Sequence, residues 1–304
     1  MVDVIVAGSG NVTGHNVVKA LCPTWNVVGY DKCESNANPA NAMCFNHRAP
    51  AAADSEYTDF IKYMMVTYRP KAIIPSNDHD LRALIELRSM LRNFGCVLNG
   101  FGKHTIDFLD KRITSELFTQ HGISTPELLR HGSPFPYVIR KRHVGTGQKF
   151  VRIIKGLPTN ITCEEANNGI FTRYVEGKEF TIDVLCDQSS QVLSIVPRLR
   201  HEVRNGMVHL GEIIKDDYII MQCAKIASAM QLKGVNCIQC IRTDSDAMFF
   251  EVNPRPGSGL SLTTAAGVNM PDLWMHSLMD THVNVNTPVW GLKMVRYYEG
   301  HYFT

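Results

Sequence analysis

The chain opens on the pattern of a strand, a tight turn and a helix. In VDVIVAGSGNVTGHNVVKALCP a β-branched apolar run meets a glycine-rich turn, after which Val17, Val18 and Leu21 recur at helical spacing. A second apolar run, NVVGYD, ends at Asp31. KAIIPSNDHDLRALIELRSMLRNFG then repeats the strand, turn and helix, with Leu81, Leu84, Ile85 and Leu91 marking the apolar face of the helix. Recurrent β-α units predict a mostly parallel sheet covered by helices on both faces, so the first hundred or so residues read as one small α/β domain.

The pattern then changes. Thr105 to Leu129 predicts a helix stopped at Gly122 and a short strand after Pro126. YVIRKRHVGTGQKFVRII, FTRYVEGKEFTIDVLCD and QVLSIVPRLRHEV follow as alternating runs separated by Gly145, Gly147, Gly177 and the Gln188-Ser189-Ser190 turn, a succession that predicts antiparallel pairing. A helix over about Tyr218 to Leu232 leads to two further strands, GVNCIQCIR and AMFFEVNPR, and to the small-residue stretch PGSGLSLTTAAG.

Composition narrows the function classes. Lys and Arg number 31 against 29 Asp and Glu, a net charge of +2 that supplies no general attraction to nucleic acid or to a membrane surface. An anionic ligand therefore needs a local site. No uncharged apolar run approaches the roughly 18 to 20 residues that span a bilayer, and MVDVIVAGSG lacks the basic start and cleavage site of a secretory leader. The expectation is a cytoplasmic protein with reduced thiols, its nine cysteines being scattered through strand-like and helix-like segments.

Two regions carry candidate chemistry. Gly8, Gly10 and Gly14 bring backbone N–H groups to a helix N-terminus, where an anion is favoured, and Asp31 follows near where a dinucleotide site places its ribose carboxylate. Alone, this suggests a nicotinamide-dependent oxidoreductase. The larger constellation lies downstream: Lys141 closes a strand just before Gly145-Thr146-Gly147, so that an ammonium and several N–H groups converge on phosphates. In FFEVNPR, Glu251 and Asn253 share one strand face, with Arg255 two residues further on, and Gln239 on the preceding strand faces the same way if the two strands pair. One carboxylate with neighbouring amide oxygens suits Mg2+, which completes its shell with phosphate and water. The alternating Arg198, Arg200 and Arg204 share a face of a regular strand, where Arg200 or Arg204 can grip a substrate carboxylate, and Gly257 and Ser258 form a turn after Arg255. Cys237 and Cys240 are read as buried packing rather than as zinc or redox ligands, and no histidine is given a catalytic role.

The order of these segments resembles the ATP-grasp superfamily, in particular single-unit proteins similar to the carbamoyl phosphate synthase large subunit. Phe108-Leu109-Asp110-Lys111-Arg112 with Gly122-Ile123-Ser124-Thr125-Pro126, then Tyr137 to Gly147, then Phe171 to Glu179, then Gln239, Glu251, Asn253 and Arg255 carry the likeness. The resemblance implies a Rossmann-like pre-ATP-grasp α/β domain over 1–104, a small subdomain with the phosphate loop over 105–178, and a C-terminal α+β subdomain with metal and substrate sites over 179–304. It implies nucleotide contacts from Lys111, Lys141, Gly145, Thr146, Gly147, Arg173, Tyr174, Val175 and Glu179, a metal set of Gln239, Glu251 and Asn253, and Arg255 with Lys141 as the catalytic cations. The chain departs from the family at Arg173, where an acidic residue or glutamine is common before the hinge tyrosine, and at Arg142, where proline usually follows the lysine.

What the resemblance implies is an ATP-dependent carboxylate-amine ligase for a small metabolite, with an amino acid as one candidate, using ATP and Mg2+ with Mn2+ as a substitute. The reaction passes through an acyl phosphate and needs no covalent protein nucleophile. Its partners are small-molecule carboxylates and amines, not nucleic acid or membrane, and a homodimer is allowed. Full carbamoyl phosphate synthesis is not expected, because the synthase divides two phosphorylations between two such units. The competing readings are the NAD-dependent oxidoreductase and a catalytically silent ATP-binding regulatory protein.

Overall fold

A computed structural model describes residues 2–33, 37–130, 133, 136–143, 151–156, 161–281, 283–297 and 299–302. The first sheet is parallel. Strands β1 (Val4–Ala7), β2 (Val27–Asp31), β3 (Phe45–Arg48), β4 (Ala72–Pro75) and β5 (Val97–Leu98) lie in the order β3-β2-β1-β4-β5. Each pair is parallel, and β1 and β4 are buried along their whole length, as strands covered on both faces must be. The helices are α1 (Val12–Leu21), α2 (Tyr57–Tyr68), α3 (Asp78–Glu86) and α4 (Arg88–Asn93). The single helix expected after Pro75 is thus two. Leu87 leaves helical geometry at φ −87° and ψ 6°, and its N–H turns back to the carbonyls of Ala83 and Ile85.

Gly14 belongs to packing. A Cβ there would lie 2.1 Å from the Gly8 carbonyl oxygen and 2.8 Å from Ser9 Cα, so α1 crosses the β1 turn with room for hydrogen only. Gly14→Ala is expected to cost about 1–3 kcal/mol through overpacking, read as a lowered midpoint in thermal unfolding. An unchanged midpoint would show that the turn yields freely.

The chain continues through α5 (Lys111–Gln120), β6 (Leu128–Leu129), β7 (Tyr137–Lys141), β8 (Arg152–Ile154), α6 (Cys163–Asn168) and β9 (Gly169–Arg173), whose strands form an antiparallel sheet in the order β6-β9-β7-β8. Helix α5 starts later than Thr105 because Asp110 is its N-cap, accepting from the Arg112 N–H, after a 3-10 turn at Asp107–Leu109. Phe108 and Phe118 pack not on the small sheet but with Phe180, Ile182 and Phe249 of the large one.

That large sheet comprises β10 (Lys178–Cys186), β11 (Val192–Arg204), β12 (Met207–Ile213), β13 (Gly234–Arg242), β14 (Ala247–Asn253) and β15 (Lys293–Val295) in the order β14-β13-β10-β11-β12-β15, antiparallel throughout. Helix α7 (Asp217–Met230) buries Ile219, Cys223, Ile226 and Met230 against it. Helices α8 (Leu260–Ala265) and α9 (Met270–Leu278) share a core with Val17, Val18 and Leu21 of α1, which fixes the parallel sheet beside the large one. Among the described residues no helix is long and apolar enough to cross a membrane.

Candidate active site

A cavity of about 1160 Å³ lies where the three sheets meet. The carboxyl ends of β1 and β4 open into it at Gly8 and Ser76, the point where the parallel sheet's connections reverse direction and where open α/β sheets take ligands. The small sheet supplies the opposite wall and the large sheet the floor.

Pairing of β13 with β14 sets Gln239 directly opposite Glu251, and Cys237 opposite Asn253, so the E-x-N segment and Gln239 meet on one surface. Lys111, the first residue of α5, brings Nζ to 3.4 Å from Glu251 Oε1. With its amide oriented to satisfy both neighbours, Gln239 donates to Glu251 Oε2 at 3.1 Å and accepts from Arg200 Nη1 at 2.8 Å. Arg200 in turn donates to Glu179. Lys111, Glu251, Gln239, Arg200 and Glu179 thus form one chain of alternating donors and acceptors across the floor. A carboxylate beside two amides suits a hard cation such as Mg2+ once the Gln239 amide turns its oxygen from Arg200 toward Glu251; among the described residues no group of three or more His, Cys, Asp or Glu side chains is set to hold a metal.

Arg255 lies at the junction with the parallel sheet. Asp78, in the first turn of α3, accepts from Arg255 Nε at 2.6 Å and Nη2 at 3.0 Å, a bidentate pair across 177 residues of sequence. Burial alone would raise the Asp78 carboxyl, but the Arg255 guanidinium outweighs it and holds the group below the usual carboxylate range. Asp78 carries no signal in the sequence pattern.

On β7, side chains alternate between two environments. Tyr137 and Ile139 pack with Phe171 in the small sheet's own core, whereas Val138 and Arg140 line the cavity. Arg140 stacks its guanidinium 4.5 Å from the Phe250 ring centroid, donates through Nη2 to Thr172 at 3.3 Å, and leaves Nε buried with no partner among the described residues. Its pKa is lowered by burial, against the pull of the Glu251 and Glu179 carboxylates. Lys141 also borders the cavity but is exposed. The departure at Arg142 has a local role: it donates to Asp110 at 2.8 and 3.1 Å, and its carbonyl accepts the Lys111 N–H, tying the end of β7 to the start of α5.

Arg173, Tyr174, Val175 and Glu179 border the same cavity, with Arg173 held by Glu127 at 2.6 Å. Gly257 and Ser258 line it as well. Arg204 does not. Irregularities in the β11–β12 ladder between Arg200 and Val203 break the alternation that would put it on the face of Arg198 and Arg200, and it pairs instead with Glu202 on the exposed side. Gly145, Thr146 and Gly147 lie outside the described residues. The N-terminal glycine turn satisfies its own polar groups: Asn11 Oδ1 accepts from the N–H groups of Thr13 and Gly14, and Asp31 accepts from those of Gly10 and Cys33. A dinucleotide would have to displace these bonds. Cys237 and Cys240 are buried, and burial pushes the Cys237 thiol up to about 12, far from a thiolate ligand at neutral pH.

A structure of N5-carboxyaminoimidazole ribonucleotide synthetase in complex with ADP superposes with a TM-score of 0.80 over 97% of this chain and 81% of that one, at 13% identity. This is an ATP-grasp fold. The biotin carboxylase domain of 2-oxoglutarate carboxylase from Hydrogenobacter thermophilus has a TM-score of 0.71 at 14% identity, covering 92% of this chain and 70% of that one. For the L-amino acid ligase from Bacillus licheniformis the TM-score is 0.68 at 16% identity, covering 91% and 74%. A family described as "ATP-grasp in the biosynthetic pathway with Ter operon" matches residues 165–299. The carbamoyl phosphate synthase large chain of Clostridium acetobutylicum is 21% identical, aligned over 89% of this chain and 28% of its own length, so this chain spans little more than a quarter of that relative.

Proposed function

We propose that this ATP-grasp protein is an ATP-dependent ligase that joins a small carboxylate to an amine or related nucleophile. The observation that carries the reading is the facing of Gln239 and Glu251 on paired strands, with Lys111 against Glu251, in the cavity that Arg173 to Val175 and Arg255 also line. A substrate carboxylate oxygen attacks the γ-phosphorus of ATP, ADP leaves, and the nucleophile adds to the acyl carbon as phosphate departs and its proton passes to solvent. Glu251, Asn253 and Gln239 would hold Mg2+, which would supply neutralisation of the phosphate charge.

The protein's own contribution is position and electrostatics. Lys111 and Arg140 counter the triphosphate charge, Lys141 supplements them at the rim, and the segment Arg173 to Val175 takes the base with Glu179 at the ribose. Arg255, held by Asp78, steadies the acyl phosphate. An amino acid as the carboxylate donor is the finer form of the proposal, supported by the likeness to an L-amino acid ligase fold. The test is phosphate release from ATP with paired small carboxylates and amines. The expected result is ADP and phosphate formed only when both substrates and Mg2+ are present. ATP consumption independent of any carboxylate would remove the ligase reading.

A further inference from the structure

Counting N–H donors separates the arginines around the cavity. A guanidinium carries five. Arg255 gives four of them, to Asp78 twice, Asn253 and the Pro256 carbonyl. Arg200 gives three, to Glu179, Gln239 and the Gly206 carbonyl, and its buried Nε has no partner among the described residues. Arg140, assigned above to the phosphates, gives one, to Thr172, and has no carboxylate among the described residues to orient it; Arg198 gives two, Nε at 2.7 Å and Nη2 at 2.8 Å, both to Asp183. Three N–H bonds of Arg198 therefore have no acceptor among the described residues, although its side chain is only 2% exposed.

The setting of Arg198 is built around it. Asp183 is fully buried and accepts a further hydrogen bond from Thr263 at 2.6 Å, which fixes the carboxylate and through it the guanidinium. Beyond β14 the chain passes the guanidinium as bare backbone: a Cβ at Gly259 would lie 2.1 Å from Arg198 Nη1. That loop is pinned by Asn16 and Arg296, both donating to the Ser258 carbonyl. A buried ion pair adds little to stability over an apolar replacement. A buried arginine oriented so firmly, with donors left over on a cavity wall, is the construction of an anion receptor.

Its place in the sheet points to what the anion is. Arg198 pairs with Thr181, Thr181 with Gln239, and Gln239 with Glu251, so the four stand in one row across β11, β10, β13 and β14, all bordering the cavity. At about 4.8 Å between strands, Arg198 is two strands, or roughly 10 Å, from Gln239. That gap leaves room for a carboxylate between the guanidinium and the side chains of Gln239 and Glu251. We propose that Arg198 binds the carboxylate of the substrate, a small carboxylic acid, by a two-pronged contact from its cavity-facing N–H groups. This rests on the ligase reading and names the group that selects its carboxylate substrate.

The test is calorimetric titration of the full chain, with and without MgADP, by acetate, L-alanine and L-glutamate and by the corresponding amides. At least one carboxylate is expected to bind, its amide about 10-fold or more weaker. Arg198→Lys keeps a cation against Asp183 but loses the fork, and is expected to weaken carboxylate binding about 10-fold while changing MgADP affinity less than about twofold. Gly259→Ala retains the arginine but forces it from its seat, and is expected to weaken the carboxylate similarly, which decides the matter should Arg198→Lys fail to fold. Wild-type carboxylate affinity in either folded variant overturns the proposal, and so does the absence of carboxylate binding by wild-type protein that binds MgADP. Arg198-dependent carboxylate binding without any MgADP binding would sustain the receptor and remove the ligase reading instead.

Discussion

Glu251→Gln is expected to lower Mg2+-dependent ATP turnover by roughly 10²–10³-fold, the scale of losing a preorganised charge in an enclosed site. Glu251 is the single carboxylate among the three side chains proposed to hold Mg2+, its partners Gln239 and Asn253 being amides. The substitution keeps the shape and still allows an amide contact to Gln239, but removes the negative charge that holds Lys111 Nζ at 3.4 Å. Mg2+ should cease to strengthen ADP binding. The fold should survive, because both side chains of the ion pair keep some solvent contact, 13% and 17%, and neither belongs to the apolar core. Phosphate release and magnesium-dependent ADP binding, measured on protein with an unchanged circular dichroism spectrum, check this. Wild-type turnover would remove Glu251 from the reacting part of the cavity.

The second large effect is a contrast between adjacent residues. Arg140→Ala is expected to weaken ADP and ATP binding by about 10- to 100-fold, the scale of charge-assisted contacts in a dry site, and adenosine far less. Lys141→Ala should weaken the nucleotides only a few-fold. The reasoning is geometric: Arg140 faces the cavity with a buried unpartnered Nε and a fixed seat on Phe250, whereas Lys141 sits exposed at the strand end and its ammonium is held in place by none of the described side chains. Arg140→Lys restores the charge but not the ring stacking or the fork, and should recover part of the loss. Equal losses for adenosine and ADP would mean that Arg140 supports the wall rather than the phosphates. A larger loss at Lys141 would reverse the assignment.

The same comparison shows what sequence pattern carries and what it leaves out. The parallel sheet was legible because β1 and β4 are continuous apolar runs followed by helices with 3.6-residue spacing, features fixed by local periodicity. The meeting of Gln239 with Glu251 was legible as a condition, since face alternation predicts it once the strands pair. Arg140 was hidden by residue type: attention goes to the lysine, although counting two from Val138 along the strand marks Arg140 as the inward position. Arg204 was misplaced because the ladder irregularities after Arg200 have no sequence signature. The Asp78–Arg255 pair joins residues 177 apart, and neither local spacing nor composition reports a contact made between the parallel sheet and the large one.

The most direct measurement of the account is a thermal-shift titration of the full chain with ADP plus Mg2+, ATP plus Mg2+, and NAD. A ligand that binds only the folded state stabilises it by mass action, by about 2.7 kcal/mol at 100 times its Kd, and so raises the unfolding midpoint. The account predicts a magnesium-dependent rise with ADP and ATP and none with NAD. A rise with NAD alone would contradict it and return the N-terminal glycine turn, with Asp31, to the centre of the site.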